Sequence, residues 1–505
     1  MVEVELKFQV PPAQRAALRR AVATASARSV RLQARYFDTP DRRLAAAGIA
    51  LRLRREDGHW VQTLKARGDG LMTRPEHNVV LPRQRGEPAL ETARHDGTPA
   101  GDALRATGVD ATLLQPLFAT DVQRIVRRVR SGGANVEIAC DEGELLAGDA
   151  RQPLAEVEFE LVSGTSAALL ALAGRWVDRH GLWLDVRTKA ERGDLLARGQ
   201  AAADAVRAAP PPLHAADTPD AALRAMVRAC LDQVLPNASV VAAGVHEAEH
   251  VHQLRVGLRR LRTALRDFGD VAPELDAAWE PALAQIFARL GAARDRDALA
   301  VTLLPALAAA GAPVAALGSA AEPEDPGQPL REPACTRLLL ALIGFAHGGE
   351  PPPSPAAEPS WSLPPQAAGD DLRDWARRRL RRAHRRAIAD AASFTTLPEA
   401  DQHRVRKRVK RLRYGVEFLS SLYPAKAVTR YLKLLRPAQE ALGEYNDVLV
   451  AEAAFRELLD ADARAWFALG WLAAHRAACL AECTRALQRL AEADAFWRGK
   501  PAKAK

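Results

Sequence analysis

The stretch 403–419, HRVRKRVKRLRYGVEFL, combines a row of cations with a row of aliphatic side chains, and the same pattern occurs earlier at 252–268, HQLRVGLRRLRTALRDF. In both copies a histidine is followed by cations at +3, +7, +8 and +10. At about 100° per residue, the His, +3, +7 and +10 positions share one helical face, with +8 beside it. The two copies therefore predict two equivalent helices with basic faces. The residues of these faces are His252, Arg255, Arg259, Arg260, Arg262, His403, Arg406, Lys410, Arg411 and Arg413.

The opposite face of each predicted helix is apolar, which predicts that each helix packs by that side. A second repeat, or second echo, consists of LGAARDRDAL at 290–299 and LGEYNDVLVA at 442–451. It supports an internal duplication with halves at about 219–320 and 370–495. A single basic run indicates only a solvated helix face. Two runs in register, with almost no acid among the cations, indicate instead a polyanion that neutralises them. The apolar positions are Leu254, Leu258, Leu261, Leu265 and Phe268, matched by Val405, Val409, Leu412, Val416 and Leu419.

Composition places the chain among proteins with ordinary hydrophobic cores. Its 505 residues are 48% hydrophobic and carry a net charge of +9, with a pI near 9.5. Such a positive charge indicates an anionic partner, such as a phosphate polymer, nucleic acid or membrane surface. Five cysteines without a CxxC pair suit a reducing compartment. The opening MVEVELKF has acids where a signal peptide is basic, and no apolar run reaches the roughly 18 residues of a membrane span. We therefore expect a soluble cytoplasmic protein without a membrane segment.

The first ten residues alternate strictly, with Val2, Val4, Leu6 and Phe8 opposite charged and polar residues, which predicts a strand. Further alternating runs follow, separated by glycine turns: LRLRRE at 51–56, HWVQTLKA at 59–66, HNVVL at 77–81, DVQRIVRRVR at 121–130, NVEIACDEG at 135–143 and AEVEFELV at 155–162. Several carry charge on one face only. Two interpretations remain open, a sheet with a wet outer face or a barrel around a water-filled tunnel, because a dry charged interior would be too costly.

From residue 219 onward the sequence has helical periodicity, interrupted by proline-rich loops at 322–333 and 348–365. The Ala- and Pro-rich stretch 201–218 is typical of a linker. We therefore predict an α+β protein: an antiparallel β domain at 1–200, a linker at 201–218, and an all-α helical bundle at 219–505.

Ordered motifs in the first 200 residues carry a family resemblance. They are ExExK at 3–7, YFDTPDRRLAAAGIALRLRRE, HWVQTLKARG, RPE at 74–76, PLFATDVQR and TKAERG at 188–193. With these motifs the region resembles the CYTH domain of the triphosphate tunnel metalloenzymes, and in particular bacterial inorganic triphosphatases that carry a CHAD domain behind it. The resemblance implies an eight-stranded tunnel that hydrolyses triphosphate to pyrophosphate and phosphate with Mg²⁺ or Mn²⁺.

Carried over by motif, the resemblance also implies residue roles. The metal side comprises Glu3, Glu5, Asp141, Glu156 and Glu158. The phosphate grip comprises Lys7, Arg52, Arg54, Lys65, Arg124 and Lys189. The ExExK residues Glu3, Glu5 and Lys7 are the catalytic group, whereas Arg74, Glu76 and Arg192 fit ion pairs at the barrel mouth equally well. Carboxylate oxygens suit hard divalent cations, and phosphoryl transfer depends on positioning and charge neutralisation.

The helical half resembles the CHAD domain, which implies a two-fold pseudo-symmetric bundle that binds inorganic polyphosphate through the ten basic-face residues. It also implies association with polyphosphate granules. Aromatic residues make up only 5% of the chain, and few interleave the basic rows, so nucleic acid is the lesser partner. A binding protein without turnover, and a thiamine or nucleotide triphosphatase, remain alternative functions.

Two further sequence patterns have to be weighed, a possible zinc motif and a pair of cysteines. HEAEH at 246–250 fits the HExxH motif of zinc proteases, but no third ligand follows at a suitable spacing. Cys479 and Cys483, one helical turn apart among apolar residues, are interpreted as small core residues.

Overall fold

The computed structural model describes residues 2–68, 70, 72–84, 86–291, 303, 305–313, 325–348, 371–460 and 462–498. Their contacts divide the chain into two compact units. The first, here called the barrel unit, comprises Met1–Arg207, Leu231–Gly257 and Asp325–Leu363. The second, the helical unit, comprises Ala208–Cys230, Leu258–Glu324 and Pro364–Lys505. This division does not test the domain boundaries expected from the sequence, and those boundaries stay a prediction.

Eight antiparallel strands form a closed barrel, as predicted. The order is β5-β4-β3-β2-β6-β7-β8-β1, and the barrel closes where Glu3 of β1 pairs with Arg74 of β5. A two-residue strand, β9, extends the β1 edge. The bounds are β1 Val2–Gln9, β2 Arg28–Asp38, β3 Ala50–Glu56, β4 His59–Lys65, β5 Thr73–Val80, β6 Gln115–Ser131, β7 Ala134–Ala147, β8 Ala150–Ser163 and β9 Trp183–Leu184.

Alternation along β1 and β8 sends apolar and charged residues to opposite faces of the barrel wall. Phe8, Val157 and Phe159 are fully buried, and Phe159 packs edge-on against Trp176 of a helix on the outside, with ring centroids 5.7 Å apart. The acids of β1 and β8 therefore face inward. This arrangement agrees with the interpretation as a barrel around a tunnel and not with the interpretation as a sheet with a solvated outer face.

Short helices in the barrel unit cover the barrel. They are α1 Arg15–Val22, α2 Arg43–Ala46, α3 Pro99–Ala106, α4 Ser166–His180 and α5 Lys189–Ala197. The start of α5 is fixed by Thr188, whose hydroxyl accepts a hydrogen bond from Glu191 N at 3.0 Å, as in a capping box. Gly193 lets α5 approach β6 closely, because a Cβ there would lie 2.2 Å from the Phe118 ring. Helix α5 thereby brings Lys189 and Arg192 to the barrel interior.

Helices make up the rest of the described chain, as predicted from residue 219 onward. Helices α6 Pro219–Ala242 and α7 Ala248–Phe268 contribute residues to both units. The others are α8 Trp279–Arg289, α9 Gln328–Arg331, α10 Pro333–Ala346, α11 Leu372–Ile388, α12 Glu399–Phe418, α13 Ala425–Glu457 and α14 Ala465–Ala491. No helix in the described part of the chain has the length and apolar character of a membrane span.

The predicted apolar faces of α7 and α12 are confirmed. All ten of their positions are buried, none with more than 4% of its surface exposed. At about 1.5–3 kcal/mol for each large aliphatic side chain removed from water, these faces are the main reason that both helices pack.

Some expectations differ from the structure or lie outside its described residues. Strand β2 was not predicted as a strand, although Val30, Leu32, Ala34 and Tyr36 alternate perfectly and are buried. The predicted loop at 322–333 contains the short helix α9. Most of the 348–365 loop, and residues 292–299 of the second echo, lie outside the described residues.

Candidate functional sites

Three carboxylates converge inside the barrel. In the strand register Asp141 lies opposite Glu156, and the ligand atoms of Asp141, Glu156 and Glu158 all lie within 4.8 Å of one another. Lys189 Nζ contacts all three, at 2.8 Å from Asp141 Oδ2, 2.5 Å from Glu156 Oε1 and 2.7 Å from Glu158 Oε1. The ammonium of α5 thus occupies the place that these carboxylates would offer to a metal cation.

Two arginines complete this carboxylate group. Arg124 binds Asp141 through two parallel hydrogen bonds of 2.7 and 2.6 Å and also contacts Glu158, and Arg192 contacts Glu156 Oε2 at 3.1 Å. Burial alone would raise the pKa of Asp141 and Glu158, but the neighbouring cations outweigh it and hold both pKa values below the ordinary range. Both acids are therefore ionised and suited to hold cations.

A second group forms around Lys65, whose Nζ lies 2.6 Å from Glu3 Oε2 and 2.8 Å from Glu76 Oε2. Burial raises the pKa of Glu3 to about 9. Burial acts on Glu76 in the same direction, but the Lys65 ammonium outweighs it and lowers the pKa of Glu76 to about 2. The two acids that share Lys65 thus shift in opposite directions, with the pKa raised for Glu3 and lowered for Glu76.

A row of acids crosses three neighbouring strands. Glu5 of β1 lies opposite Glu160 of β8, which lies opposite Glu137 of β7. Burial, and then the Glu137 carboxylate, raise the pKa of Glu160 to about 7. The sequence motifs did not select Glu160, although it continues the alternation of Glu156 and Glu158.

Arg52 and Arg54 lie side by side on β3 and face the interior. Arg52 donates a hydrogen bond to the Tyr36 hydroxyl at 3.1 Å, and Arg54 pairs with Glu56 at 2.9 Å. The Nε atoms of both arginines are buried without a hydrogen-bond partner among the described residues. Burial, and then the Arg52 charge, lower the pKa of Arg54 to about 10. Buried donors that lack acceptors are the arrangement expected of a site that receives an anion.

Lys7 is held by a pair of residues that the motif analysis did not select. Its ammonium donates to the Arg187 carbonyl oxygen, and burial lowers its pKa. The Arg187 guanidinium binds the fully buried Asp185 through two hydrogen bonds of 3.0 and 2.8 Å. The signal for this pair is present in the sequence as DVR, directly before TKAERG.

The structure thus divides the expected tunnel residues between two carboxylate groups. Within the described residues, the metal-sized group contains Asp141, Glu156 and Glu158 but neither Glu3 nor Glu5. Glu3 shares Lys65 with Glu76 instead. Lys189, expected in the phosphate grip, contacts acids.

A cluster of cations lies on α12 and α7 within the helical unit. Lys410 lies near Arg406 and Arg413 of its own helix, Arg259 of α7 and the acid Asp447 of α13. Burial, and then Arg406 and Arg259, lower the pKa of Lys410 to about 7. His403 Nδ1 lies 3.1 Å from Asn446 Oδ1, and burial, followed by the charge of neighbouring cations, lowers the pKa of His403. A lysine that loses charge among arginines marks an excess of positive potential that a bound anion would relieve.

Arg260, the +8 residue of the first copy, contacts protein groups. It is only 2% exposed, pairs with Glu417 at 2.7 Å, donates to Ala209 O at 3.1 Å and lies 4.8 Å from the centroid of the Phe418 ring.

Three other basic-face residues also have acidic neighbours. Arg262 Nε lies 2.9 Å from Glu280, and Arg413 Nε lies 3.2 Å from Glu417. Arg411 is 3.8 Å from Asp267. His252 and Arg255 belong to the barrel unit. The ten residues therefore differ in their surroundings more than the repeat indicates.

The HEAEH segment is not a zinc-protease site. Helix α7 begins at Ala248, so His246 precedes the helix instead of sharing a helical face with His250. His250 is buried, with Nδ1 accepting from Glu247 N at 3.0 Å and Nε2 lying 2.8 Å from Ala203 O.

A closed barrel with inward acids and cations, followed by helices with paired basic faces, defines the class of this protein. Residues 1–193 match the CYTH domain, and residues 225–456 match the CHAD domain. The chain therefore belongs to the proteins in which a CYTH domain is followed by a CHAD domain.

Parts of this chain are similar to individual known proteins. The chain is 34% identical over 172 residues to the inorganic triphosphatase of Haemophilus influenzae, a match that covers 33% of this chain and 46% of that protein. It thus spans about half the length of that relative. The CHAD domain from the plant Ricinus communis is 31% identical and is similar over 56% of this chain and 96% of its own, with a TM-score of 0.46. A putative adenylyl cyclase from Hippeastrum, described as having a dominant triphosphatase activity, is 18% identical over 39% of this chain and 96% of its own, with a TM-score of 0.29.

Proposed function

We propose that the barrel unit is a metal-dependent inorganic triphosphatase that converts triphosphate to pyrophosphate and phosphate. The observation that carries this proposal is that one barrel interior holds three convergent carboxylates together with buried arginine Nε atoms that have no acceptor among the described residues. A site for an anion alone gains nothing from convergent carboxylates. A site for an anion with its metal ions needs both.

The residues present fit a divalent metal ion. Lys189 Nζ, which contacts all three carboxylates, is a cation standing in the place of the metal. Asp141, Glu156 and Glu158 would hold Mg²⁺ or Mn²⁺, which prefer carboxylate oxygen ligands. When bound, the ion would neutralise charge on the phosphate oxygens. Lys189 then becomes available to a phosphate, which reconciles its acidic contacts with the role implied by the motif.

The chain's own cations would bind and orient the substrate. The Nε donors of Arg52 and Arg54, which have no partner within the described part of the chain, are placed to bind phosphate oxygens. An anion there would restore the pKa that burial lowers in Arg54. Lys65 on β4 and Arg124 on β6 add positive charge. Since phosphoryl transfer depends mostly on positioning and electrostatic stabilisation, this alignment is the main contribution of the barrel.

Lys7 and Glu5 have separate roles in this proposal. The Arg187 carbonyl and Asp185 hold the Lys7 ammonium in place, so that it can donate to a phosphate oxygen. Glu5, beside Glu160, adds negative charge that a metal ion near the substrate would neutralise.

Phosphate release by the purified full-length protein tests the activity and the substrate together. Inorganic triphosphate, ATP and thiamine triphosphate are compared at equal concentration with Mg²⁺ or Mn²⁺. We expect inorganic triphosphate to give the highest kcat/KM and chelation to abolish turnover. A preference for a nucleotide or for thiamine triphosphate would identify the alternative triphosphatase, and no turnover of any of them would favour a binding protein.

We further propose that the helical region binds inorganic polyphosphate. The cluster of Lys410 with Arg259, Arg406 and Arg413 supports this, because burial, and then the charges of Arg406 and Arg259, lower the pKa of Lys410 to about 7. The Arg259 Nε is buried without a partner among the described residues. Arg260, in contrast, would hold α7 through Glu417 rather than contact the polymer.

Polyphosphate affinity as a function of chain length and salt tests this second proposal. A long polymer contacts several cations at once, so affinity should rise strongly with chain length and fall steeply with salt through counterion release. Equal affinity for duplex DNA or single-stranded RNA of the same charge would indicate a general polyanion surface.

The same proposal places the protein in the cytoplasm, where it would meet polyphosphate granules. All five cysteines are buried and none forms a disulfide in the described structure, which supports a reducing compartment.

A further inference from the structure

A group of metal-ligating side chains lies on the long helices α13 and α14, within the helical unit and apart from the basic faces. Glu444 of α13, His475 of α14 and Cys479 of α14 place a carboxylate oxygen, an imidazole nitrogen and a thiol sulfur within 4.8 Å of one another. His475 Nε2 lies 3.2 Å from Glu444 Oε1. His475 and Cys479 are four residues apart, so they project from the same face of α14.

The surroundings hold two of these side chains in converging orientations. Trp471, one turn before His475, stacks on the imidazole with ring centroids 4.8 Å apart and planes at 21°, which restricts the ring while Nε2 points toward Glu444. Cys479 is 5% exposed, whereas Glu444 is exposed at the rim. An ion here would have one buried ligand, one partly buried ligand and access to water on the open side.

The donor set selects the class of ion. Nitrogen, sulfur and oxygen together suit a borderline-soft divalent cation, whereas Mg²⁺ and Ca²⁺ prefer oxygen alone. Zinc bonds of about 2.0–2.3 Å in a tetrahedron require ligand atoms about 3.3–3.6 Å apart. The His475–Glu444 distance of 3.2 Å is close to this range, and rotation of the Cys479 side chain would bring its sulfur atom closer to both.

We propose that Glu444, His475 and Cys479 form a binding site for a zinc-like divalent cation that ties α13 to α14, with water as the fourth ligand. This site differs in ion class from the all-carboxylate group of the barrel interior. Binding would release the thiol proton and replace the direct Glu444–His475 contact by two bonds to the ion.

Cobalt titration of the full-length protein tests the site, with millimolar Mg²⁺ present to occupy sites made of oxygen ligands. A thiolate bound to Co²⁺ gives a near-ultraviolet charge-transfer band, and tetrahedral Co²⁺ gives intense visible bands. We expect one equivalent of Co²⁺ to produce both, and Zn²⁺ to displace it. The absence of a thiolate band in the wild-type protein would overturn the proposal.

Variants assign the ligands. We expect Cys479→Ser to abolish the charge-transfer band, and Glu444→Gln to weaken Co²⁺ binding by at least about tenfold. Because Glu444 is exposed, its substitution leaves the helix packing intact and remains informative if Cys479→Ser fails to fold. Cys483→Ser, one turn further along α14 and equally buried, is the matched control and should bind as the wild type does. A band retained in Cys479→Ser, or a loss in Cys483→Ser as large as that expected for Cys479→Ser, would refute the assignment.

Discussion

Replacement of Lys189 by methionine removes the ammonium that lies 2.5–2.8 Å from Asp141, Glu156 and Glu158. Methionine retains most of the aliphatic volume but no charge. Asp141 and Glu156 have no exposed surface, so water cannot replace the lost partner easily. Breaking a buried ion pair from one side typically costs about 3–5 kcal/mol. Arg124 and Arg192 still contact these acids, so we expect the lower end, a loss of about 3 kcal/mol in the metal-free protein.

Divalent metal should reverse this loss. If the carboxylates are a metal site, the ion replaces the missing ammonium and stabilises the folded variant by about 4 kcal/mol when its concentration is 1,000 times Kd. The wild-type protein should gain less, because its ion must first displace Lys189. The Lys189→Met variant should therefore be less stable than the wild type in chelator and close to it in saturating Mg²⁺ or Mn²⁺.

Denaturant unfolding with and without metal measures both effects. Arg151→Gln is the matched control, since Arg151 lies on β8, the strand that carries Glu156 and Glu158, and makes an exposed ion pair with Glu144. It should change neither stability nor the response to metal. An equal metal response in wild type and Lys189→Met would refute the view that Lys189 occupies the place of the metal.

Three other predictions concern activity and polymer binding. Glu5→Gln should lower kcat for triphosphate by at least about 10-fold, as is typical of residues that support a metal site from outside its ligand set. Unchanged turnover at saturating Mg²⁺ would contradict its assignment. Alanine at both Arg259 and Arg406 should weaken polyphosphate binding at least about tenfold, each lost contact being worth about 1 kcal/mol or more, whereas Arg430→Ala, an exposed residue on α13, should not. Because the Lys410 pKa is lowered to about 7, polyphosphate binding should strengthen as pH falls from 8.5 to 7 and Lys410 gains its proton. Lys410→Arg is charged throughout this range and should flatten the pH dependence. An unchanged pH dependence in Lys410→Arg would contradict this role of Lys410.

The features predictable from the sequence are those set by local periodicity. Two-residue alternation identified most strands of the barrel, and the period of α7 and α12 identified their buried faces. Strand β2 follows the same alternation through Val30, Leu32, Ala34 and Tyr36. It was not predicted as a strand, because the charged residues that flank it made its pattern less clear than those of the other runs. Charge on a single face of several strands left a sheet with a solvated outer face and a tunnel both open, and the tunnel was predicted from the family resemblance.

Partners that are distant in sequence were not predictable in this way. Lys189 meets Glu156 and Asp141 only because α5 folds back across the barrel, which depends on the close approach at Gly193. Arg260 is buried against Glu417, 157 residues away, although periodicity places it beside the basic face. The Lys7 contact with Arg187 arises likewise from two ends of the barrel domain. Such contacts are set by tertiary packing, and the periodicity of a helix or strand contains no information about it.

The most direct test of the central claim is the position of Mn²⁺ in crystals grown with a non-hydrolysable triphosphate analogue, located by anomalous scattering. The account predicts an Mn²⁺ peak bound by Asp141, Glu156 and Glu158, with phosphate oxygens on the Nε atoms of Arg52 and Arg54 and with Lys189 moved from the carboxylates to the analogue. Manganese and analogue bound outside the barrel, with Lys189 still among the three acids, would contradict it.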